Sequence, residues 1–404
     1  MIKKYIKKSM PFKLIRYLYY HAYLEGIFLL ERLIYNRRKI NTNKIVVDNF
    51  AGRGFGDNPK YIVKELLKRN FNLDIVWEVS DMSLPMPSGV RKVKYGTPKA
   101  YRELLTAKIW IDNIKNSVKP DKRNDQFYLQ TWHGGLAVKA IERQVEDKLD
   151  SNYVEAAKRD AGMTNLMLSD SSWTTEQYSK YFWYHGKIIK TGFPRNDLLI
   201  NQPQNIVDKV YKKYSIPQGI KILLYAPTFR DDSNSLRLFE FNFKLIIENL
   251  KLKFGDNYIL LIRLHPNIAQ LLHNSPNSLN LRVKYIDVSD YSDMQELLLA
   301  TDILITDYSS CMFDAMLAKK KIFLLAKDYF EYTRNDRDLL FDLKKGLPFS
   351  FSDNEEALIA NIQKFDIQKY LTAMQDFEEK LEIKEDGKAS SRVAKIIQDK
   401  IEEK

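Results

Sequence analysis

The sequence predicts an α/β protein of two doubly wound, parallel-sheet domains that face one another across a cleft. Three observations point there. Short apolar runs alternate with helical stretches along most of the chain, which is the pattern of a helix-flanked parallel sheet. The alternation lapses at a polar stretch, residues 201–219, and then restarts. At 404 residues the chain is also longer than one ordinary core serves, so two domains are expected.

Taken in order, KIVVDNF (44–50) reads as the first buried strand. It runs into the glycine-rich AGRGFG (51–56), after which Asp57 or Asn58 can cap a helix whose first residue is Pro59. Apolar runs at 73–79, 108–113, 126–131, 165–169 and 186–192 complete the first set, and runs at 221–227, 257–266, 282–287, 302–307 and 321–326 form the second. Beyond about residue 350 the chain is polar, with acid/base pairs at helical spacing. These patterns give a first segment at 1–44, domains at 45–204 and 205–375, and C-terminal helices at 376–404.

The net charge is +12, and residues 1–44 carry +9 of it, with eleven Lys/Arg against Glu25 and Glu31. Ile, Leu, Phe and Tyr are interleaved with those cations, and there is neither a short apolar core with a cleavage site nor an uninterrupted apolar run of about 20 residues. A basic amphipathic helix lying on anionic lipid is the expectation; the competing reading is a solvated first helix packed on the body. The remainder has no basic stripe and no nucleic-acid module, so nucleic acid is not expected as a partner. Cys311 is the sole cysteine. It excludes a disulfide framework and suits a reducing compartment.

In doubly wound sheets ligands bind beyond the carboxyl ends of strands, and the chemically active residue types fall there. DILITDYSSCMFDAML (302–317) is an apolar strand followed by Ser309 and Ser310 at the start of an amphipathic helix, with Asp314 one turn on. Free N–H groups and hydroxyls at a helix start suit a phosphate, although capping by serine is the simpler use. LLIRLHPN (260–267) places Arg263 and His265 on one face of a strand end. A guanidinium beside an imidazole suits a diphosphate, and a surface histidine in a turn is the alternative. Pro227, Thr228 and Arg230 end another strand, and Arg195 follows a further one. Together these residues describe a cationic, donor-rich pocket for a phosphorylated ligand. In the first domain YLQTWHGGLAVK (128–139) sets His133 after a strand, with Gly134 and Gly135 leaving the backbone open to a ligand. A neutral imidazole there suits a general base for a hydroxyl. No Gly-x-Ser-x-Gly elbow, zinc-ligand spacing or G-x-G-x-x-G is present. The glycine-rich loop therefore reads as lining the acceptor side.

The set GFGDNPKYI, WIDN, QTWHGG, LSDSSWT, FPRNDLL, YAPTFR, RLHPN and TDYSSCMFD, in this order from about residue 50 to 317, resembles the CDP-glycerol glycerophosphotransferase family, which builds teichoic acids and related surface polymers. The resemblance implies a GT-B architecture, with an acceptor-binding first domain and a CDP-glycerol-binding second domain. It implies peripheral attachment to the cytoplasmic membrane face and a lipid-linked acceptor such as an undecaprenyl-diphosphate-linked saccharide or the growing polymer; the sequence itself shows no acidic metal cluster, so fixed cations and helix dipoles are expected in place of Mg²⁺, with no cofactor. The resemblance makes His133 the base toward the acceptor hydroxyl and His265 the support of the donor diphosphate. Donor contacts are implied at Trp132, Gly134, Arg195, Pro227, Thr228, Arg263, Ser309, Ser310 and Asp314, and Gly135 and Arg230 flank them. Where family members continue Trp-His-Gly with Thr-Pro-Leu-Lys, this chain has Gly135-Leu136-Ala137-Val138-Lys139, which bears on the acceptor or on the polyol of the donor. The chain lacks the long N-terminal region of the large polymerases, which implies addition of one or a few units, or a place in a capsule pathway. The two alternatives are a ribitolphosphotransferase using CDP-ribitol and a GT-B glycosyltransferase using a nucleotide sugar. A nucleotide-binding membrane scaffold without catalysis is a third reading.

Overall fold

A computed structural model describes residues 25–35, 37–115, 117–228, 241–264, 283–335 and 338–403. The first domain contains β1 (Asn41–Val47), β2 (Asp74–Val79), β3 (Val90–Lys94), β4 (Ala107–Asp112), β5 (Phe127–Gln130), β6 (Leu166–Ser169) and β7 (Lys187–Lys190). All pair in parallel, in the order β3-β2-β1-β4-β5-β6-β7. The second domain contains β8 (Ile220–Tyr225), β9 (Asn257–Ile262), β10 (Tyr285–Asp287), β11 (Ile303–Thr306), β12 (Lys321–Leu325) and β13 (Ser350–Ser352). These are also parallel, in the order β10-β9-β8-β11-β12-β13. Each sheet reverses its winding beside its first strand, as in a Rossmann domain, and each therefore opens a ligand crevice at the carboxyl ends of its central strands.

The sequence explains the sheets. Central strands covered by helices on both faces must be apolar throughout, and all four residues of β11 are buried. The edge strands β3 and β13 escape the sequence reading because they lack that run: β3 is VRKVK and β13 is only SFS. Charged, short edges discourage pairing with another chain, and the same property hides them from a search for apolar runs.

Two expected boundaries move. Leu199 and Val210 sit in the core of the second domain, so that body begins at about the helix Asp197–Asn201. The last helix, Ala389–Glu402, is not an appendage. Its Val393, Ala394 and Ile397 enter the first domain's core beside Ile62 and Leu66. Asp197 fixes the crossing by accepting from the N–H groups of Ala389 (2.8 Å) and Ser390 (2.7 Å). The helix at Asp57–Lys68 forms as expected, but neither Asp57 nor Asn58 caps it. Asn58 is buried and uses its amide on the Trp132 carbonyl (3.0 Å) and the Arg195 N–H (3.1 Å).

Of the basic segment at 1–44, residues 25–35 form a helix, and residues 1–24 lie outside the described residues. One face of the helix is tied to the first domain: Glu31 accepts from Arg102 at 2.7 and 2.5 Å, and Phe28 stacks on Tyr101 at 4.6 Å. The opposite face leaves Leu29, Leu30, Leu33 and Ile34 between 46% and 60% exposed.

Candidate active site

The histidine-bearing loop after β5 is held by its backbone. Trp132 adopts φ +53°, a left-handed conformation that is costly for a bulky residue and that accumulates at functional sites. Its carbonyl is bound by Asn58 and its N–H by Gln130 (2.9 Å). The His133 carbonyl accepts from Arg195 (2.5 Å), and the Gly134 carbonyl from the Tyr178 hydroxyl. A Cβ on Gly135 would stand 2.1 Å from the Asp170 carboxylate, so only glycine fits there.

This frame leaves the imidazole with a defined tautomer. Nδ1 lies 2.8 Å from the Asn113 carbonyl. A carbonyl only accepts, so the neutral ring carries its proton on Nδ1 and keeps a lone pair on Nε2. Asn113 itself is fixed to the loop after β1: its side chain donates to Asn49 (3.0 Å) and accepts from the Phe50 N–H (2.9 Å). The rings of Trp132 and Phe50 flank the imidazole at 4.1 and 5.3 Å.

Burial lowers the His133 pKa from its ordinary 6.5, and the Asn113 hydrogen bond opposes that in part. The sign follows. A depressed folded value means that the fold prefers the neutral ring, so stability present above about pH 6.5 is lost as pH falls toward the folded value. If the lone pair on Nε2 is the base, kcat rises along that acidic limb and is level at neutral pH. A kcat–pH profile is the measurement, and an acidic limb centred above about pH 7 would exclude His133 as the base.

The second domain supplies the facing wall. Asp307, at the end of β11, accepts from the N–H groups of Thr228 (2.7 Å) and Tyr308 (2.6 Å), and the Thr306 hydroxyl donates to the Ala226 carbonyl (2.7 Å). These bonds lock the turn after β8 to the turn that carries Ser309 and Ser310. The helix that follows, Cys311–Leu317, is buried on every face rather than amphipathic, and the Ser310 hydroxyl does not cap it. Arg263, after β9, donates to the Tyr291 carbonyl at 2.7 Å.

A cavity of about 1230 Å³ joins both walls. Trp132, His133 and Gly134 line it from the first domain, and Pro227, Thr228, Arg263, Ser309 and Ser310 from the second. Arg53 and Gly56 of the glycine-rich loop also reach it. The volume exceeds what a single small ligand occupies, which suits two substrates meeting. Gly135 adjoins the wall without forming it. His265 and Arg230 lie outside the described residues.

Arg195 and Asp314 are placed differently from the other expected contacts. Both are buried and neither lines the cavity. Arg195 instead bonds Asp57 (2.8 Å), the His133 carbonyl and Asp314 (2.9 and 3.1 Å), and Asp314 also accepts from Gln295 (3.0 Å). The neighbouring carboxylates outweigh burial and keep the guanidinium charged. Sequence reasoning missed the supports Asn49, Asn113 and Asn58. The first two stand directly after strands, which was a usable signal.

The departure from Trp-His-Gly-Thr-Pro-Leu-Lys has a structural role. Leu136 and Val138 alternate into the core of the second domain. Between them and the 338–340 segment runs a short antiparallel bridge, with Ala140 N–H to the Asp338 carbonyl (2.8 Å) and Leu340 N–H to the Val138 carbonyl (2.7 Å). The loop that carries the histidine is thus sewn into the opposite domain.

Comparison with known proteins agrees with this geometry. The family model for CDP-glycerol:poly(glycerophosphate) glycerophosphotransferase matches residues 30–399. The chain is 29% identical over 377 residues to the teichoic acid poly(glycerol phosphate) polymerase of Staphylococcus epidermidis, covering 90% of this chain and 52% of that protein. It is 30% identical over 389 residues to the teichoic acid glycerol-phosphate transferase of Staphylococcus aureus, covering 91% and 97%. It therefore spans about half of the first relative and nearly all of the second. Among solved structures, a histidine-to-asparagine variant of the wall teichoic acid polymerase TagF soaked with CDPG superposes with a TM-score of 0.81 at 28% identity, covering 97% of each chain. The two facing Rossmann-like domains are a GT-B fold of the TagF type. The chain belongs to the CDP-glycerol:poly(glycerophosphate) glycerophosphotransferase family.

Proposed function

We propose that this glycerophosphotransferase moves glycerol phosphate from CDP-glycerol to a hydroxyl of a lipid-linked acceptor in teichoic acid synthesis, releasing CMP. The observation that carries the reading is a cavity that joins a lone-pair-bearing imidazole to a wall of Arg263, Thr228, Ser309 and Ser310. The acceptor oxygen attacks the phosphorus bonded to glycerol, and its proton passes to Nε2 of His133. The new O–P bond forms as the bond from that phosphorus to the bridging oxygen breaks, and CMP leaves with the electron pair. The Arg263 guanidinium and the two seryl hydroxyls hold the charge that gathers on the diphosphate. His265 is assigned to the same task by the family resemblance. Membership of the family, the likeness to a named glycerol-phosphate transferase and the likeness to TagF soaked with CDPG support this donor.

The deciding assay follows CMP release from CDP-glycerol with an acceptor present, beside CDP-ribitol and UDP-sugars. Turnover is expected with CDP-glycerol; a UDP-sugar turned over in its place would overturn the reading in favour of glycosyl transfer.

A lipid acceptor asks for a membrane surface, and the helix at 25–35 offers one. Leu29/Leu33 and Leu30/Ile34 are i, i+4 pairs on its outer face, and Arg37, Arg38 and Lys39 follow in sequence, while Arg32 is paired with Asp121 at 2.7 Å. An apolar stripe rimmed by cations seats in anionic headgroups. Among the described residues no helix is long and apolar enough to cross a membrane, so the proposed attachment is peripheral, at the cytoplasmic face. Deletion of residues 1–35 should abolish co-sedimentation with vesicles containing an anionic lipid, and undiminished binding would remove this anchor.

A further inference from the structure

The cavity has a third wall that the donor does not use. Beyond His133 it is lined by Ile141, Glu142, Leu149, Asp150 and Tyr153. Glu142 is the unusual member. It is 5% exposed and adopts φ +51°, a strained conformation for a residue that is not glycine. The strain aims its carboxylate at two partners: Oε2 accepts from Lys115 (3.2 Å), and Oε1 accepts from the Tyr153 hydroxyl. Lys115 is itself 1% exposed, donates to the Phe182 carbonyl (3.1 Å), and lies 3.7 Å over the Phe182 ring and 5.5 Å from the Trp132 ring. A buried lysine, a strained glutamate and the strained Trp132 thus converge next to the base. Packing alone does not call for this, because a well-packed apolar cluster is as stable as a buried ion pair or more so.

Each oxygen of Glu142 has one partner and can accept a second hydrogen bond. The other carboxylate on this wall is exposed and serves as a helix N-cap, since Asp150 Oδ1 accepts from the N–H groups of Asn152 (2.9 Å) and Tyr153 (3.2 Å), whereas Glu142 is the buried one. A fixed carboxylate repels phosphate and attracts hydroxyl donors, whereas the opposite wall, with Arg263, does the reverse. Glu142 thus offers an acceptor to a hydroxyl, and Arg263 on the opposite wall offers a cation to a phosphate.

We propose that Glu142, held by Lys115 and Tyr153, is the specificity residue of an acceptor subsite: it accepts a hydrogen bond from a second hydroxyl of the acceptor's terminal polyol, which turns the neighbouring hydroxyl toward Nε2 of His133. The proposal rests on the transfer reading given above. Leu149 and Ile141 cover the carbon chain of that polyol.

The test uses the full chain, saturating CDP-glycerol and two synthetic lipid phosphates, one ending in glycerol and one in 3-hydroxypropyl. The wild-type KM should be about tenfold lower for the glycerol-ended acceptor, because the 3-hydroxypropyl analogue has no second hydroxyl to donate to the glutamate. Glu142→Gln should bring the two values within about twofold of each other while the KM for CDP-glycerol stays near that of the wild type. Tyr153→Phe, which frees the carboxylate to turn, should narrow the ratio in the same direction. A wild-type ratio near one, or a ratio unchanged in Glu142→Gln, would overturn the role of Glu142 and leave transfer itself intact. The wild-type comparison decides the matter even if the variants do not fold. Absence of CMP release with either acceptor would overturn the transfer reading, and this proposal with it.

Discussion

Replacing His133 with alanine is expected to lower kcat for CMP release by about 10²–10⁴-fold, the usual contribution of a positioned general base. The structure makes the expectation specific. The ring is oriented by one bond, from Nδ1 to the Asn113 carbonyl, so Nε2 alone is available to the acceptor. The loop conformation, in contrast, depends on main-chain groups: the carbonyls of Trp132, His133 and Gly134 are held by Asn58, Arg195 and Tyr178. Truncating the imidazole removes none of these bonds. The KM for CDP-glycerol should therefore change little, because Arg263, Ser309 and Ser310 stand on the other domain. Steady-state kinetics with CDP-glycerol test both statements. Wild-type turnover in His133→Ala would exclude the base assignment, and a selective rise in donor KM would make His133 a binding residue instead.

Arg195→Met is expected to destabilise the protein by about 3–5 kcal/mol, the range for removing one partner of a buried ion pair. Three groups lose a partner at once: Asp57, Asp314 and the His133 carbonyl. Asp314 is charged and buried and would keep only Gln295, while Asp57 is half-buried at the cavity wall. Activity should fall together with stability, because Arg195 spans the cleft between the histidine loop and the helix behind Ser310. Chemical denaturation of the variant gives the first quantity. The decisive comparison is the double replacement Arg195→Met with Asp314→Leu, which removes one stranded charge and should be less destabilised than Arg195→Met alone. If the double variant is the weaker, the ion pair is not what holds this joint.

The sequence made the central strands and the strand-end chemistry legible, because burial on two faces forces a continuous apolar run and a doubly wound sheet places its ligand at the ends of those runs. Eleven of the strands fall on the apolar runs, the edges β7 and β10 among them by their flanking residues, and β3 and β13 do not, being edges with charged or few residues. The site was legible at the level of residue type and obscure at the level of partnership. Arg195 and Asp314 both read as ligand contacts. Only the fold shows that, 119 positions apart, they satisfy each other. Glu142 gave no sequence signal at all: a glutamate in a polar stretch reads as surface, and its meeting with Lys115, 27 positions away, is set by the turn after β4 and the 142–148 segment. The last helix was read as separate because its apolar stripe does not reveal which core it serves.

The bridge between residues 138–140 and 338–340 has a mechanical consequence. Two lobes joined by a hinge alone would be free to gape, and the reacting atoms would then meet only on closure. Here two main-chain hydrogen bonds rivet the catalytic loop to the far lobe a few residues from the imidazole. With the Arg195–Asp314 and Lys60–Asp293 pairs, which also cross between the lobes, the bridge fastens the histidine loop to the second domain at several points at once.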